Sequence, residues 1–151
     1  MNTQSANQKD IQENVELRIR TMRTLWIAMF LSIGAYYVFT FFVGRPQDVE
    51  SNGMLFLVLL GMALSTTFIS FPIKNRLLAR AVEQQQPQLV QQAYILAWAL
   101  TEVAALLGIL DFFLTGSRYY FILFIIAGGG MLLHFPRRED VVNAWSKTPI
   151  V

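Results

Sequence analysis

The sequence predicts an all-α integral membrane protein with four transmembrane helices and both termini cytoplasmic. Three observations predict it. Of 151 residues, 54% are hydrophobic and only 15% charged, and mean hydropathy is +0.43, too apolar for an ordinary soluble domain. Four long apolar runs, at 24–43, 54–73, 93–114 and 119–136, follow one another with few or no charges inside them. About 20 such residues in an α-helix cross the roughly 30 Å hydrocarbon core of a bilayer. The basic residues, finally, are sorted by connection: Lys9, Arg18, Arg20, Arg23, Lys74, Arg76, Arg80, Arg137, Arg138 and Lys147 fall on one side, and Arg45 and Arg118 alone on the other. The positive-inside rule makes the first side cytoplasmic. A bacterial-type inner (plasma) membrane is the expected setting.

Taken in order, residues 1–23 form a polar to amphipathic segment. Ile11, Val15, Ile19 and Met22 recur at helical spacing there, so it reads as a helix on the membrane surface or as an extension of the first span. A cleaved signal peptide is not expected, because the following apolar run is too long and no small-residue cleavage site follows it. The first span (24–43) carries Trp26 near one end and aromatic residues at the other. Gly44, Pro46 and Gly53 punctuate the connection to the second span (54–73), and Pro87 breaks the polar connection before the third. Thr115, Gly116 and Ser117 precede the fourth span, 119–136, which is short for a crossing. Residues 137–151 read as a cytoplasmic tail. The whole of 24–136 is then one four-helix transmembrane domain.

The third span carries the chemistry. Glu102 sits in its middle, roughly 14 Å from the cytoplasmic start of the helix. An ionisable group at that depth costs at least about 2.5 kcal/mol on insertion, so it is seldom idle. Ser65, Thr66 and Thr67 of the second span lie roughly 10–12 Å from the same side. Ser32 and Gly34 of the first span, and Gly128, Gly129 and Gly130 of the fourth, fall near the same level. These residues point to a mid-depth site in which Glu102 is a neutral acid or an ion-binding carboxylate and the Ser65–Thr67 hydroxyls are its expected partners. Ordinary close packing of small residues is the competing account of the glycines. Ala97, Thr101, Ala105 and Gly108 form a small-residue seam on the same helix, expected to meet another helix tightly and to mediate association. Asp111, near the outer end, is expected to reach interfacial water or Arg118. His134, beside Pro136, Arg137 and Arg138, is expected to be a boundary anchor.

Other chemistry is not expected. With no cysteine and one histidine there is no disulfide, thiol nucleophile or His-rich metal site. No Gly-rich phosphate loop, HExxH motif or Ser/His/Asp arrangement is present, so neither an enzyme nor a cofactor is expected. The net charge of +2 gives no reason to expect nucleic acid. The basic, partly helical connection at 74–92 is a candidate dock for a cytoplasmic partner or anionic lipid.

At the second and third spans the chain resembles the proteolipid (c-type) subunits of rotary ATPases. The stretch 79–88, ARAVEQQQPQ, looks like that family's polar loop, and 99–110, ALTEVAALLGIL, is similar to its carboxylate-bearing helix. The resemblance implies a helical hairpin with Glu102 in the position that binds H⁺ or Na⁺. Two classes of function follow. One is a non-catalytic membrane protein, self-associating or an accessory subunit of a larger membrane complex, in which Glu102 holds helices together. The other is a proton- or cation-translocating subunit or small transporter that uses Glu102. The second span has Gly61 alone where proteolipids carry a glycine ladder, which leans toward the first.

Overall fold

The computed structural model describes residues 3–44 and 53–145, with side chains from residue 12 onward. Among them the only regular elements are helices: α1 (Thr3–Val43), α2 (Gly53–Glu83), α3 (Pro87–Thr115), α4 (Phe121–Leu133) and α5 (Arg138–Asn143). Three of these, α1, α2 and α3, are long and apolar enough to cross a membrane. Their polar extensions are helical too, so each continues beyond the apolar run read from the sequence. Ile11, Arg45, Asn52 and Lys147 lie outside the residues whose side chains are described.

Nothing interrupts α1 before Gly34, because no proline or glycine occurs there. Its amphipathic half does not lie free on a surface. Val15, Ile19 and Met22, spaced four and three apart on one helical face, are buried and pack with Val90, Val141 and Ala144 in the same core cluster. The segment is an extension of the first apolar helix docked against its own chain. Arg18 fixes its register by donating from Nη1 to the Pro87 carbonyl at 3.1 Å.

The 119–136 reading is corrected. Residues 118–120 form a turn and α4 runs only from Phe121 to Leu133. Pro136 disfavours helical geometry at the residue before it, which accounts for the early stop. Thirteen residues span about 20 Å, less than the hydrocarbon thickness. The C-terminal region is likewise more than a tail. α5 folds back on α1 and α3 and buries Val141 and Ala144 completely.

α3 is the axis of the bundle. It touches every other helix, and half of its membrane-length window is buried, against 11% for α1 and 17% for α2. α1 and α2 turn broad apolar faces outward, Leu31 and Phe42 on one and Leu57 and Phe68 on the other among them. Contacts also sort the two ends. Arg18 on Pro87, Arg138 at 4.0 Å from Glu16 and Lys74 at 5.0 Å from the Tyr94 ring bring three basic segments to one end. Arg118 lies over Tyr119 at the other. The Arg138–Glu16 pair is exposed on both sides and adds little stability.

The α2–α3 connection is a tight one. Gln85 adopts φ +52°, with Gln85 N donating to Val82 O at 3.3 Å and Gln86 N to Ala81 O at 3.0 Å. That is the paired 5→2 and 6→1 pattern of a Schellman C-cap, with glutamine where glycine is usual. Pro87 then opens α3 at a position where its missing N–H costs nothing. A left-handed residue with a Cβ costs about 1–2 kcal/mol. Gln85→Gly should therefore raise unfolding stability in detergent by about 1 kcal/mol, less the entropy that glycine adds to the unfolded chain. A fall in the denaturation midpoint would contradict this account of the turn.

Candidate functional site

Glu102 lies on the side of α3 that faces α1 and is half-buried. The Ser32 hydroxyl is 2.8 Å from Glu102 Oε1 and 2.7 Å from the Met29 carbonyl of its own helix. Tyr36, one turn further along α1, lies beside the same carboxylate. A serine hydroxyl has one proton and two lone pairs. The Ser32 hydroxyl donates toward Glu102 Oε1 across to α3 and toward the Met29 carbonyl of its own helix.

The three hydroxyls of the second apolar run are elsewhere. Ser65 donates to Gly61 O at 2.7 Å and Thr66 to Ala63 O at 3.0 Å, each on α2 itself. Thr67 is buried, and its Oγ1 has no hydrogen-bond partner among the described residues. The expected partnership of Ser65, Thr66 and Thr67 with Glu102 is thus replaced by Ser32. The Ser32–Tyr36 spacing of four residues, at the depth of Glu102, is the sequence signal that could have found it.

The small-residue seam packs inside the chain. Ala97, Thr101 and Ala105 are fully buried. A Cβ on Gly108 would sit 2.9 Å from Phe124 Cε2 and 3.3 Å from Leu123 Cβ, so the seam is where α4 approaches α3. Association with another chain through this seam would require opening the bundle. The three glycines of α4 divide. A Cβ on Gly130 would come within 2.7 Å of the Thr101 methyl and 2.8 Å of the Thr67 methyl, whereas Gly128 and Gly129 face open space.

Two further polar groups were assigned other surroundings by the sequence. Asp111 is fully buried and accepts from Thr115 Oγ1 at 2.7 Å, away from water and without an ion pair to Arg118. Thr115 is four residues on, a spacing legible in the sequence. His134 is also fully buried within the bundle. Its Nε2 lies 2.7 Å from Ser70 Oγ, its ring 4.4 Å from that of Phe71, and its carbonyl accepts from Trp98 Nε1 at 2.9 Å. Below it, Tyr94 donates to Asp140 and accepts from the Arg137 N–H at 3.2 Å, which ties α5 to α3. The partners of His134 and Tyr94 lie 36 to 64 residues away in sequence, so helical spacing carried no signal for them.

No group of three or more His, Asp or Glu capable of holding a metal occurs among the described residues. The arrangement can hydrogen-bond α1 to α3 through Ser32 and Glu102. What the fold defines is a helical protein with three membrane-length apolar helices. Comparison of the chain with protein-family models, with curated proteins and with solved structures gives no match in any of the three.

The close approach at Gly130 is open to a paired test. Gly130→Ala should destabilise the bundle by about 1–3 kcal/mol, since β-branched threonines on both sides cannot swing clear. Gly129→Ala should be neutral or slightly stabilising. Equal thermal midpoints for the two variants would mean that α4 does not seat against Thr101 and Thr67.

Proposed function

We propose that this is a non-catalytic integral membrane subunit of four spans, an accessory component of a larger membrane complex, in which Glu102 acts as a neutral acid joining α1 to α3. The Ser32–Glu102 contact carries the reading, since it joins α1 to α3 at 2.8 Å. An interhelical bond of this kind contributes about 0.6–2 kcal/mol in a membrane. The spans include α4. Its 13 residues are short, but Trp26 of α1 bonds Met131 O and Thr40 of α1 lies 3.2 Å from the Tyr120 hydroxyl. α4 therefore runs antiparallel to α1 from the level of residue 40 to that of residue 26, with flanking residues completing the crossing. Both termini are cytoplasmic on this reading, by the sorting of basic residues, in a bacterial-type inner membrane.

The proteolipid-like alternative places an exchangeable H⁺ or Na⁺ on Glu102. In its favour, the carboxyl is only half-buried and Tyr36 stands by as a further ligand. Against it, α1 covers one side of Glu102, and α3 spends its small residues inside the chain rather than on neighbouring hairpins. Self-association, if it occurs, uses the exposed faces of α1 and α2 and leaves the α3 seam alone.

Glutamine at 102 keeps the shape and a donor but cannot release a proton. Glu102→Gln should retain the parent's thermal stability and particle mass, whereas Glu102→Ala should lose about 1–2 kcal/mol. Carbodiimide labelling of Glu102 that Na⁺ blocks, with cation flux in proteoliposomes abolished by Glu102→Gln, would overturn the structural reading in favour of translocation. Topology is tested separately: a reporter fused at Gln86 should read inside and one at Gly116 outside. Any reversal removes the four-span arrangement.

A further inference from the structure

A groove of about 330 Å³ runs between α1 and α4. Phe30, Gly34 and Tyr37 line one wall, and Phe121, Ile125 and Gly128 the other. The two glycines make it a groove, since no atom lies within 4 Å of where either Cβ would stand. Its surface is almost wholly apolar. Both walls lead to the same exposed cation. Arg23 lies one heptad before Phe30 and so continues the α1 wall, and its guanidinium stands 5.7 Å from the centre of the ring of Phe135, two residues past the end of α4. Trp26 bridges the two, stacked on Phe30 at 5.3 Å and edge-on to Phe135 at 5.0 Å. Among the described residues no carboxylate lies within ion-pair distance of Arg23.

From Arg23 to Tyr37 is 14 residues, or about 21 Å along the helix. One leaflet of a bilayer, head groups included, is about 20–22 Å thick. We infer that the α1–α4 groove holds one acyl chain of an anionic phospholipid of the basic-side leaflet, with its phosphate on Arg23. The charge at one end and the apolar trough beyond it match such a lipid from head to tail. The Trp26–Phe135 pair lies where the ester region of the lipid falls, the level that amphipathic aromatic rings favour. This inference rests on the membrane-spanning reading above.

Native mass spectrometry of the protein in mild detergent tests it, with phosphatidylglycerol and phosphatidylcholine added in parallel. One phosphatidylglycerol per chain should survive gentle activation, and phosphatidylcholine should be retained about five-fold less, the value of one arginine at a charged membrane surface. Arg23→Ala should erase that preference. Gly34→Leu and Gly128→Leu each fill the trough without a clash and should abolish retention of both lipids while helicity and melting stay at the parent's. Equal retention of the two lipids by the parent, or retention unchanged in both leucine variants, would overturn the proposal. So would a dimer mass that Gly34→Leu converts to monomer, which would put a second copy in the groove. Recovery of the chain in the soluble fraction without detergent would instead overturn the membrane reading itself.

Discussion

The structure depends on how closely α4 can approach α3. That distance is set at two points, where Gly130 sits between the methyls of Thr101 and Thr67 and where Gly108 sits beneath the Phe124 ring. On the proposed membrane-spanning reading there is no hydrophobic drive to push the helices together, since lipid tails are as apolar as leucine. Dispersion contact must do it, and dispersion falls off within an ångström of gap. Small residues on both helices permit the approach, and the rest of the bundle follows from it. With α4 seated, α1 can reach it through Trp26 and Tyr37 and α2 through Ser70 and Phe71. α3 is left packed against each of the other four helices.

Much of this was legible in the chain. Long apolar runs gave the membrane-length helices, and the Val15, Ile19, Met22 stripe marked a face that is indeed buried. Glu102 was identifiable as a carboxylate inside a long apolar run, and Ser32, at its level by residue count, is its partner. What sequence could not supply was azimuth. Counting residues at 1.5 Å each locates a side chain along the membrane normal and says nothing of which neighbour it faces. Ser65, Thr66 and Thr67 share a depth with Glu102, yet α2 meets α3 along the side of Thr101, about 100° round the helix. The seam failed for the same reason: a small-residue face announces a tight neighbour without saying whether it belongs to the same chain. α4 was read too long because the apolar run continues past both its ends, through Tyr119, Tyr120 and Phe135, and the folded-back α5 was missed because its burial is set by tertiary partners.

Four of the buried polar residues share one solution. Asp111, Ser70, Thr101 and Thr115 each have a bond to or from a backbone carbonyl or side chain three or four residues away. Such bonds satisfy a hydroxyl without requiring water or a second helix, which is why serine and threonine are tolerated at depth. Bonds between helices are fewer and concentrate on α3 and α4. Ser32 to Glu102, Ser70 to His134 and Tyr94 to Asp140 join four helices and α5 at three levels. They distinguish one arrangement of apolar helices from its rotated alternatives, which packing of similar methyl-covered surfaces does only weakly.

The two indoles at the end of α4 bear on how the chain is made. Trp26 bonds the carbonyl of Met131 and Trp98 that of His134, both at 2.9 Å. The C-terminal carbonyls of a helix have no partner within it, and this helix stops short of the thickness of the bilayer. The Met131 carbonyl also accepts from the His134 N–H at 3.2 Å, and the indoles add a donor to it and to the carbonyl of His134. The donors come from α1 and α3, which are synthesised first. A nascent chain therefore presents α4 after both helices that carry its indole donors. The order of the segments along the gene is also the order in which their hydrogen bonds can be completed.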